Sequence, residues 1–465
     1  MSGGLIEAAP VLAGWDAATR ELLLFAAVGF LVGGIDDLAI DLVYLWQRWL
    51  GVCGLASTAI RLGNGHGRIA VFIPAWDEAG VIDAMLRHTL ATIDHPDYRI
   101  YVGTYPNDRA TISAVAHVAE SDTRVRLVIG SANGPTTKAD CLNALWRALA
   151  RDVALDGEPV RAIALHDAED VVHPLELRLF DALLDEHDAV QLPVQPLPHR
   201  RSRLIGGHYL DEFAEAHGKQ LVVRQALGAA LPLAGVGCAI GYSVIARIAA
   251  ERQGAPFDAD SLTEDYELGL RIAALGGRAT FARVRPAAGE PLIAVNAYFP
   301  ATITAAVRQK ARWMTGIALA GWDRTGWGQW HAWGEHWMRM RDRRAPLAVL
   351  VLVAAYVGLV GGTVSMAGRA VVAQTGAPPL LPAWLVAVNL SLLAWRLVWR
   401  AAFTARVHGW GEAALSVPRA IIGNVIAMLA ARRALVTYVA QLRGGPTRWD
   451  KTEHQFPDRL PFGQP

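Results

Sequence analysis

Apolar positions fall into three regimes along this chain. From Leu22 to Ile35 they form an unbroken run of about 14 residues, short of the roughly 20 that a membrane helix needs. The run meets Asp36, Asp37 and Asp41 before a second apolar stretch ends at Trp49. Carboxylates beside a membrane segment require water, a partner or a protein interior. One N-terminal transmembrane helix is expected, with a helix packed on the following domain as the alternative. The run follows Arg20-Glu21 rather than a Lys/Arg cluster, so no cleaved signal peptide is expected.

From Arg68 the runs shorten and alternate. Ile69–Ile73 is apolar and closed by Pro74, as a buried parallel strand would be. Ile82, Met85, Leu86, Thr89 and Ile93 then share one helical face. Further strands are predicted at Ile100–Thr104, Val125–Ile129, Ala162–His166, Ala189–Val194 and Ala279–Val284, with helices at Ala139–Ala150 and Leu175–Leu184 among those between. Such alternation predicts an α/β domain on a largely parallel sheet, with its site at the carboxyl ends of the strands.

The third regime is membrane-like. Pro346 to Gly368, about 23 residues, carries no charge, and Pro382 to Trp399 is broken only by Arg396, which can snorkel. Arginines at 339, 341, 343 and 344 precede the first run, and Arg400 and Arg406 follow the second. By the positive-inside rule these runs form a hairpin with both basic flanks, and the α/β domain, in the cytoplasm. Ala420 to Ala431, between Arg419 and Arg432-Arg433, is too short to span and predicts an interfacial helix.

Composition agrees with a membrane protein: 53% of residues are hydrophobic. A net charge of +1 gives no sign of a nucleic-acid partner. Cys53, Cys141 and Cys238 are widely separated and have no zinc-like spacing, so reduced thiols are expected.

Three polar motifs interrupt the apolar pattern. His166-Asp167-Ala168-Glu169-Asp170 ends a predicted strand and places Asp167, Glu169 and Asp170 where they could hold one divalent ion (Mg2+ or Mn2+); the bland alternative is an acidic turn or cap. Thr263-Glu264-Asp265 offers a carboxylate base in Asp265, although Thr263 or Ser261 as a helix cap with acids in the first turn explains the same residues. Gln309, Arg312 and Trp313 fall on one helical face, suited to pairing with a diphosphate and stacking on a sugar, or to an amphipathic surface helix.

In this order the motifs resemble those of membrane-bound glycosyltransferase family 2, which includes cellulose, chitin and hyaluronan synthases. With Arg308–Trp313 and Trp449-Asp450-Lys451-Thr452-Glu453-His454, the chain from about Asp36 to Pro457 resembles the glycosyltransferase part of the phage adsorption protein B family. Members of that family often carry a further cytoplasmic domain, and none is expected within these residues.

The resemblance implies a GT-A fold, a Rossmann-like nucleotide-diphospho-sugar transferase domain, with N- and C-terminal transmembrane helices and interfacial helices. It assigns a membrane segment and linker to residues 1–66, the GT-A domain to 67–300, and interfacial helices with the Q-x-x-R-W motif to 301–345. A transmembrane hairpin follows at 346–403, then an interfacial helix and cytoplasmic tail at 404–465.

Pro74 to Glu78 would bind uracil and ribose, with Asp77 where Asn is usual. Asp108, in Asn107-Asp108 with Thr111, would also meet the nucleoside. Lys138 and Asn143 match a G-x-x-x-K-x-x-x-L-N region facing the diphosphate. The usual D-x-D reads Asp-Ala-Glu, so Asp170 shares or replaces a ligand role. Gly235-Val236-Gly237-Cys238 resembles a segment lining the acceptor side.

The implied enzyme is an inverting, metal-dependent hexosyltransferase in the bacterial inner membrane. It would use a UDP-sugar to extend a surface polysaccharide, with an outer-envelope export partner. The competing readings are single addition to a polyprenyl-phosphate lipid and a membrane scaffold or phage-receptor component without catalysis.

Overall fold

The computed structural model describes residues 3–51, 62, 67–371, 380–445, 451 and 454–457. Cys53, most of the Trp449–His454 motif and the 66/67 boundary lie outside them. Cys141 and Cys238 are free and buried.

Helix α1 (Gly3–Trp49) precedes the α/β domain. That domain runs β1 (Arg68–Pro74), α2 (Ile82–Thr92), β2 (Tyr98–Thr104), α3 (Arg109–Ser121), β3 (Val125–Ile129), α4 (Lys138–Asp156), β4 (Val160–Leu165) and α5 (Glu176–Leu183). It continues through β5 (Ala189–Gln191), β6 (Val194–Pro196), α6 (Gly207–Glu215), a π-turn at Ala216–Gln220, α7 (Leu221–Ala226), β7 (Cys238–Gly241), α8 (Tyr242–Glu251), α9 (Glu264–Ala274), β8 (Ala279–Phe281) and β9 (Val295–Ala297). Then follow α10 (Ile303–Trp313), a π-turn at Met314–Leu319, α11 (Ala320–Thr325), α12 (Trp333–Arg343), α13 (Ala345–Val371), α14 (Ala383–His408), α15 (Trp410–Ala413) and α16 (Ser416–Leu442).

The seven-stranded sheet has the order β3-β2-β1-β4-β7-β5-β8. β7 alone is antiparallel to its neighbours, β4 and β5, while every other pairing is parallel. Both faces are buried. Ile69, Val71 and Ile73 pack on α2 and α5, while Ala70 and Phe72 face Leu142, Leu145 and Leu149 of α4. This two-sided burial explains the continuous apolar runs of the central strands. The predicted strand Ala189–Val194 divides: Pro193 has no amide to donate, and the chain leaves β5 to pair β6 with β9 in a second, two-stranded sheet.

Four helices are long and apolar enough to cross a membrane by length and composition: Leu12–Trp49, Ala345–Ala370, Ala383–His408 and Ser416–Leu442. The fourth corrects an expectation, because α16 spans 27 residues rather than the short run between arginines. Arg419 does not bound the helix. It is buried within it, 3.3 Å from Asp211, and donates to the Arg203 carbonyl at 2.7 Å. Near the start of α16 Ser416 donates to Asp211 at 3.1 Å, near its end Tyr438 donates to Asp323 of α11 at 3.3 Å, and further along the chain Lys451 bonds Asp77 and Glu78.

The three carboxylates that follow the apolar run of α1, at 36, 37 and 41, all find partners. Asp36 and Asp37 pair with Arg341 and Arg344, and Asp37 also with Arg396. Asp41 is buried against Lys219, which also pairs with Glu215 at 2.9 Å, and accepts from Trp395 at 2.8 Å. α1 is therefore both an apolar helix and a helix tied by ion pairs to the segments that follow it.

Candidate active site

A cavity of about 440 Å3 opens where β4 and β5 end. Lys138, Asp167, Glu169, Asp170, Glu264 and Asp265 line it from the α/β domain, and Gln309, Arg312 and Trp313 face it from α10. Thr302 starts α10 by accepting from the Ala305 amide at 3.3 Å, and the helical repeat then turns these three side chains to one face. The Trp313 ring stands edge-on to Tyr209, with centroids 6.2 Å apart.

Lys138 is the first residue of α4, and its Nζ lies 2.5 Å from Asp167 Oδ1. Burial works against its charge, yet Asp167, Glu264 and Asp265 together hold its pKa above the ordinary lysine value. Asp170 Oδ2 accepts from the Asp167 amide at 2.9 Å and lies 3.0 Å from His166 Nδ1, so it braces the turn that presents Asp167. His166 Nε2 lies 2.7 Å from Glu176, and despite burial the two acids raise its pKa to about 10. His166 thus links Asp170 and Glu176 behind the acidic strand end.

Glu169 faces a different group from its sequence neighbours. Ligand atoms of Glu78, Glu169 and His454 all lie within 4.8 Å of one another. His454 Nδ1 is 2.8 Å from Glu78 and 3.1 Å from Glu169. Burial raises the Glu169 pKa and His454 opposes it; the two carboxylates in turn raise His454 to about 9 against its own burial. Two carboxylates and an imidazole that share protons are a donor set suited to a divalent cation, which would replace the proton between them. Asp167 lies outside this trio.

Pro74, Glu78 and Asp108 do not line the cavity but form its flank. Asp108 caps α3 through the Thr111 amide at 3.2 Å and accepts from the Asp77 amide at 2.6 Å, which holds Asp77 at φ 55°. Thr111 Oγ1 accepts from the Glu78 amide at 2.9 Å. Trp76 and Tyr105 meet edge-to-face at 5.3 Å beside this turn. Asn143, expected to face a diphosphate, is instead buried and clamps the Phe257 backbone at 2.8 and 3.0 Å.

Asp265 sits at the start of α9 and accepts from the Tyr266 amide at 2.8 Å. Burial raises its pKa, with Lys138 and Arg312 pulling the other way. Burial and the Asp265 charge raise Glu264 to about 7. The capping alternative is only partly realised: Thr263 occupies the cap without a side-chain bond, and Ser261 Oγ accepts from the Thr263 amide and donates to Glu267. Gly235, at φ 71°, passes so close that a Cβ there would lie 2.7 Å from Asp265 Oδ2.

Sequence reasoning gave no role to Lys451 and His454, although it quoted the motif that holds them. They arrive from the far end of the chain: Arg308 donates to the Lys451 carbonyl at 2.9 Å, and Lys451 Nζ lies 3.2 Å from Glu78. The signal was two basic residues in a polar segment after a long apolar helix.

Residues 66–316 match the model of the family described as "Glycosyltransferase like family 2". The chain belongs to that family. The chain is 33% identical, over 478 aligned positions, to bacteriophage adsorption protein B of Escherichia coli K12 and to bacteriophage N4 adsorption protein B of Escherichia coli O157:H7. The alignment covers 96% of the chain and 63% of each relative, so the chain spans less than two thirds of their length. Among solved structures, a mannosyltransferase from Pyrobaculum calidifontis in complex with GDP-Man and Mn2+ matches with a TM-score of 0.51 at 17% identity. That match covers 90% of this chain and 99% of the other, and it establishes the GT-A fold.

Proposed function

We propose that this glycosyltransferase is an inverting enzyme that moves a hexosyl unit from a UDP-sugar to a growing surface polysaccharide at the bacterial inner membrane. The observation that carries the reading is the single cavity that joins the Lys138–Asp167 pair, Asp265 and the Gln309/Arg312/Trp313 face of α10.

Asp265 takes the proton of the acceptor hydroxyl as that oxygen bonds to the anomeric carbon. The bond to the diphosphate breaks on the opposite side, and UDP leaves. Burial raises the Asp265 pKa and so strengthens it as a base, while Lys138 and Arg312 keep the carboxylate form accessible. Lys138 and Arg312 also offer cationic partners to the diphosphate oxygens. Trp313 presents a stacking face to the sugar, and Pro74, Glu78 and Asp108 border the nucleoside side. Glu169, with Asp167 beside it and Glu78 and His454 across from it, would hold a divalent ion that offsets charge on the departing diphosphate.

We read α16 as a helix lying along the membrane surface: Ser416 near its start donates to Asp211, and Tyr438 near its end donates to Asp323. That leaves α1, α13 and α14 as the crossing helices, with the catalytic domain cytoplasmic.

Asp265→Asn tests the reading. It keeps the size and the cap position, so stability is expected to hold. Turnover of UDP-sugar is expected to fall by roughly 10²–10⁴ with donor binding retained. Near-normal turnover would remove Asp265 from the base role.

A further inference from the structure

A second cavity of about 290 Å3 lies behind the first, near the lower size limit of small-ligand sites. Val194, Phe213 and His217 line both cavities and form the wall between them. The remaining walls join the membrane helices to the catalytic domain: Tyr44 and Arg48 at the end of α1, and Phe403 and Arg406 near the end of α14. Both ends lie on the catalytic side, because Asp36 and Asp37 of α1 pair with Arg341 and Arg344, and Arg396 of α14 pairs with Asp37 at the same junction.

Charge sets this cavity apart. Arg48, Arg283, Arg285 and Arg406 line it, and no aspartate or glutamate does. In a chain of net charge +1 this is a local concentration of one sign. Among the described residues Arg48, Arg285 and Arg406 have no carboxylate partner; Arg285 donates to the Glu290 carbonyl, and Arg406 stands 5.2 Å over the Phe403 ring. His217 adds no charge. Its Nδ1 accepts from the Val194 amide at 2.9 Å, and burial together with Arg283 lowers its pKa to about 3.

The guanidinium groups of Arg48, Arg285 and Arg406, with no carboxylate partner among the described residues, repel one another around one space, and an anion among them removes that repulsion. The guanidinium fork matches phosphate oxygens two at a time. Tyr44, Leu292 and Phe403 add apolar wall beside the charges, as a headgroup with an attached hydrocarbon stem requires. Basic pockets between membrane helices on their cytoplasmic side are where acidic headgroups bind.

We propose that this cavity is a binding site for a phosphate-bearing anion, supplied by an acidic phospholipid of the surrounding membrane. The site is separate from the donor cavity and shares one wall with it. It does not depend on the assignment of the base, the metal or the sugar.

The test uses the full chain in neutral detergent, with binding read by native mass spectrometry. The probes are dioctanoyl phosphatidylglycerol, dioctanoyl phosphatidylcholine and inorganic phosphate. The parent is expected to retain phosphatidylglycerol at least tenfold more tightly than Arg285→Gln/Arg406→Gln, and to bind phosphatidylcholine no better than that variant does. Arg432→Gln/Arg443→Gln removes two exposed charges outside the cavity, one in α16 and one just after it, and is expected to bind as the parent does. The single Arg406→Gln, at an exposed position, repeats the comparison with least risk to folding.

If inorganic phosphate binds the parent and not the cavity variant, while phosphatidylglycerol distinguishes neither, the site stands but its ligand comes from solution. Equal loss in the cavity and α16 variants would mean general surface attraction. That result, or no loss in either variant, overturns the proposal.

Discussion

Gly235→Ala separates the position of Asp265 from its chemistry. Gly235 has φ 71°, and an added Cβ would lie 2.7 Å from Asp265 Oδ2 and 3.3 Å from its Cβ and Cγ. Two effects follow. The left-handed backbone disfavours any side chain by about 1–2 kcal/mol, a loss of stability. Asp265 must also retreat to an ordinary contact of about 3.5 Å, a displacement of roughly 0.8 Å. A misplacement of about 1 Å in a reacting group costs on the order of 10²-fold in rate, or about 2.7 kcal/mol of barrier.

Gly228 supplies the comparison, since it has φ 66° and nothing within 4 Å of an added Cβ. Gly228→Ala carries the same backbone cost without touching the base. Both variants are expected to lose similar stability in denaturant melts of the detergent-solubilised chain. Only Gly235→Ala is expected to lose turnover, read as radiolabelled sugar incorporation at saturating donor, with the donor Kd unchanged within a few-fold. Equal turnover in the two variants would refute the argument, as would a parallel loss of donor binding.

The metal group and the membrane arrangement give two further tests. His454→Ala removes the imidazole between Glu78 and Glu169, and Mn2+ affinity measured by electron paramagnetic resonance is expected to weaken by at least about tenfold; unchanged affinity excludes His454 as a ligand. Reporter tags at residue 151 and after Pro465 are expected on the cytoplasmic face, and a tag at residue 376 on the opposite face. A C-terminal tag on the far side would make α16 a crossing helix.

The central strands were legible because both faces of β1, β2 and β4 are buried, so each reads as an apolar run of strand length. β7 was not, because Cys238–Gly241 is four residues long and set among glycines whose conformational role has no hydrophobic signature. The motif residues were legible as chemistry because carboxylates, Lys138 and Arg312 have few other reasons to gather at strand ends. Which acids face one another was not: adjacency in sequence grouped Asp167 with Glu169, whereas the fold turns Asp167 to Lys138 and Glu169 to His454. Length misled at α16, where Arg419 reads as a boundary because its partner, Asp211, is about two hundred residues away.

The ionic junction at the base of α1 bears on how the molecule is made. Asp36 and Asp37 emerge early in synthesis, yet their partners Arg341, Arg344 and Arg396 come after the whole catalytic domain and, for Arg396, after the first half of α14. Until then those acids must stay hydrated at the membrane surface, which keeps the end of α1 shallow while the domain between them folds. Asp41 adds a second requirement, because Lys219 is buried against it from within that domain. Excising the catalytic domain as a soluble fragment would strand Lys219 without Asp41. The membrane helices and the α/β domain therefore share ionic contacts that can form only once Arg396 of α14 has been made.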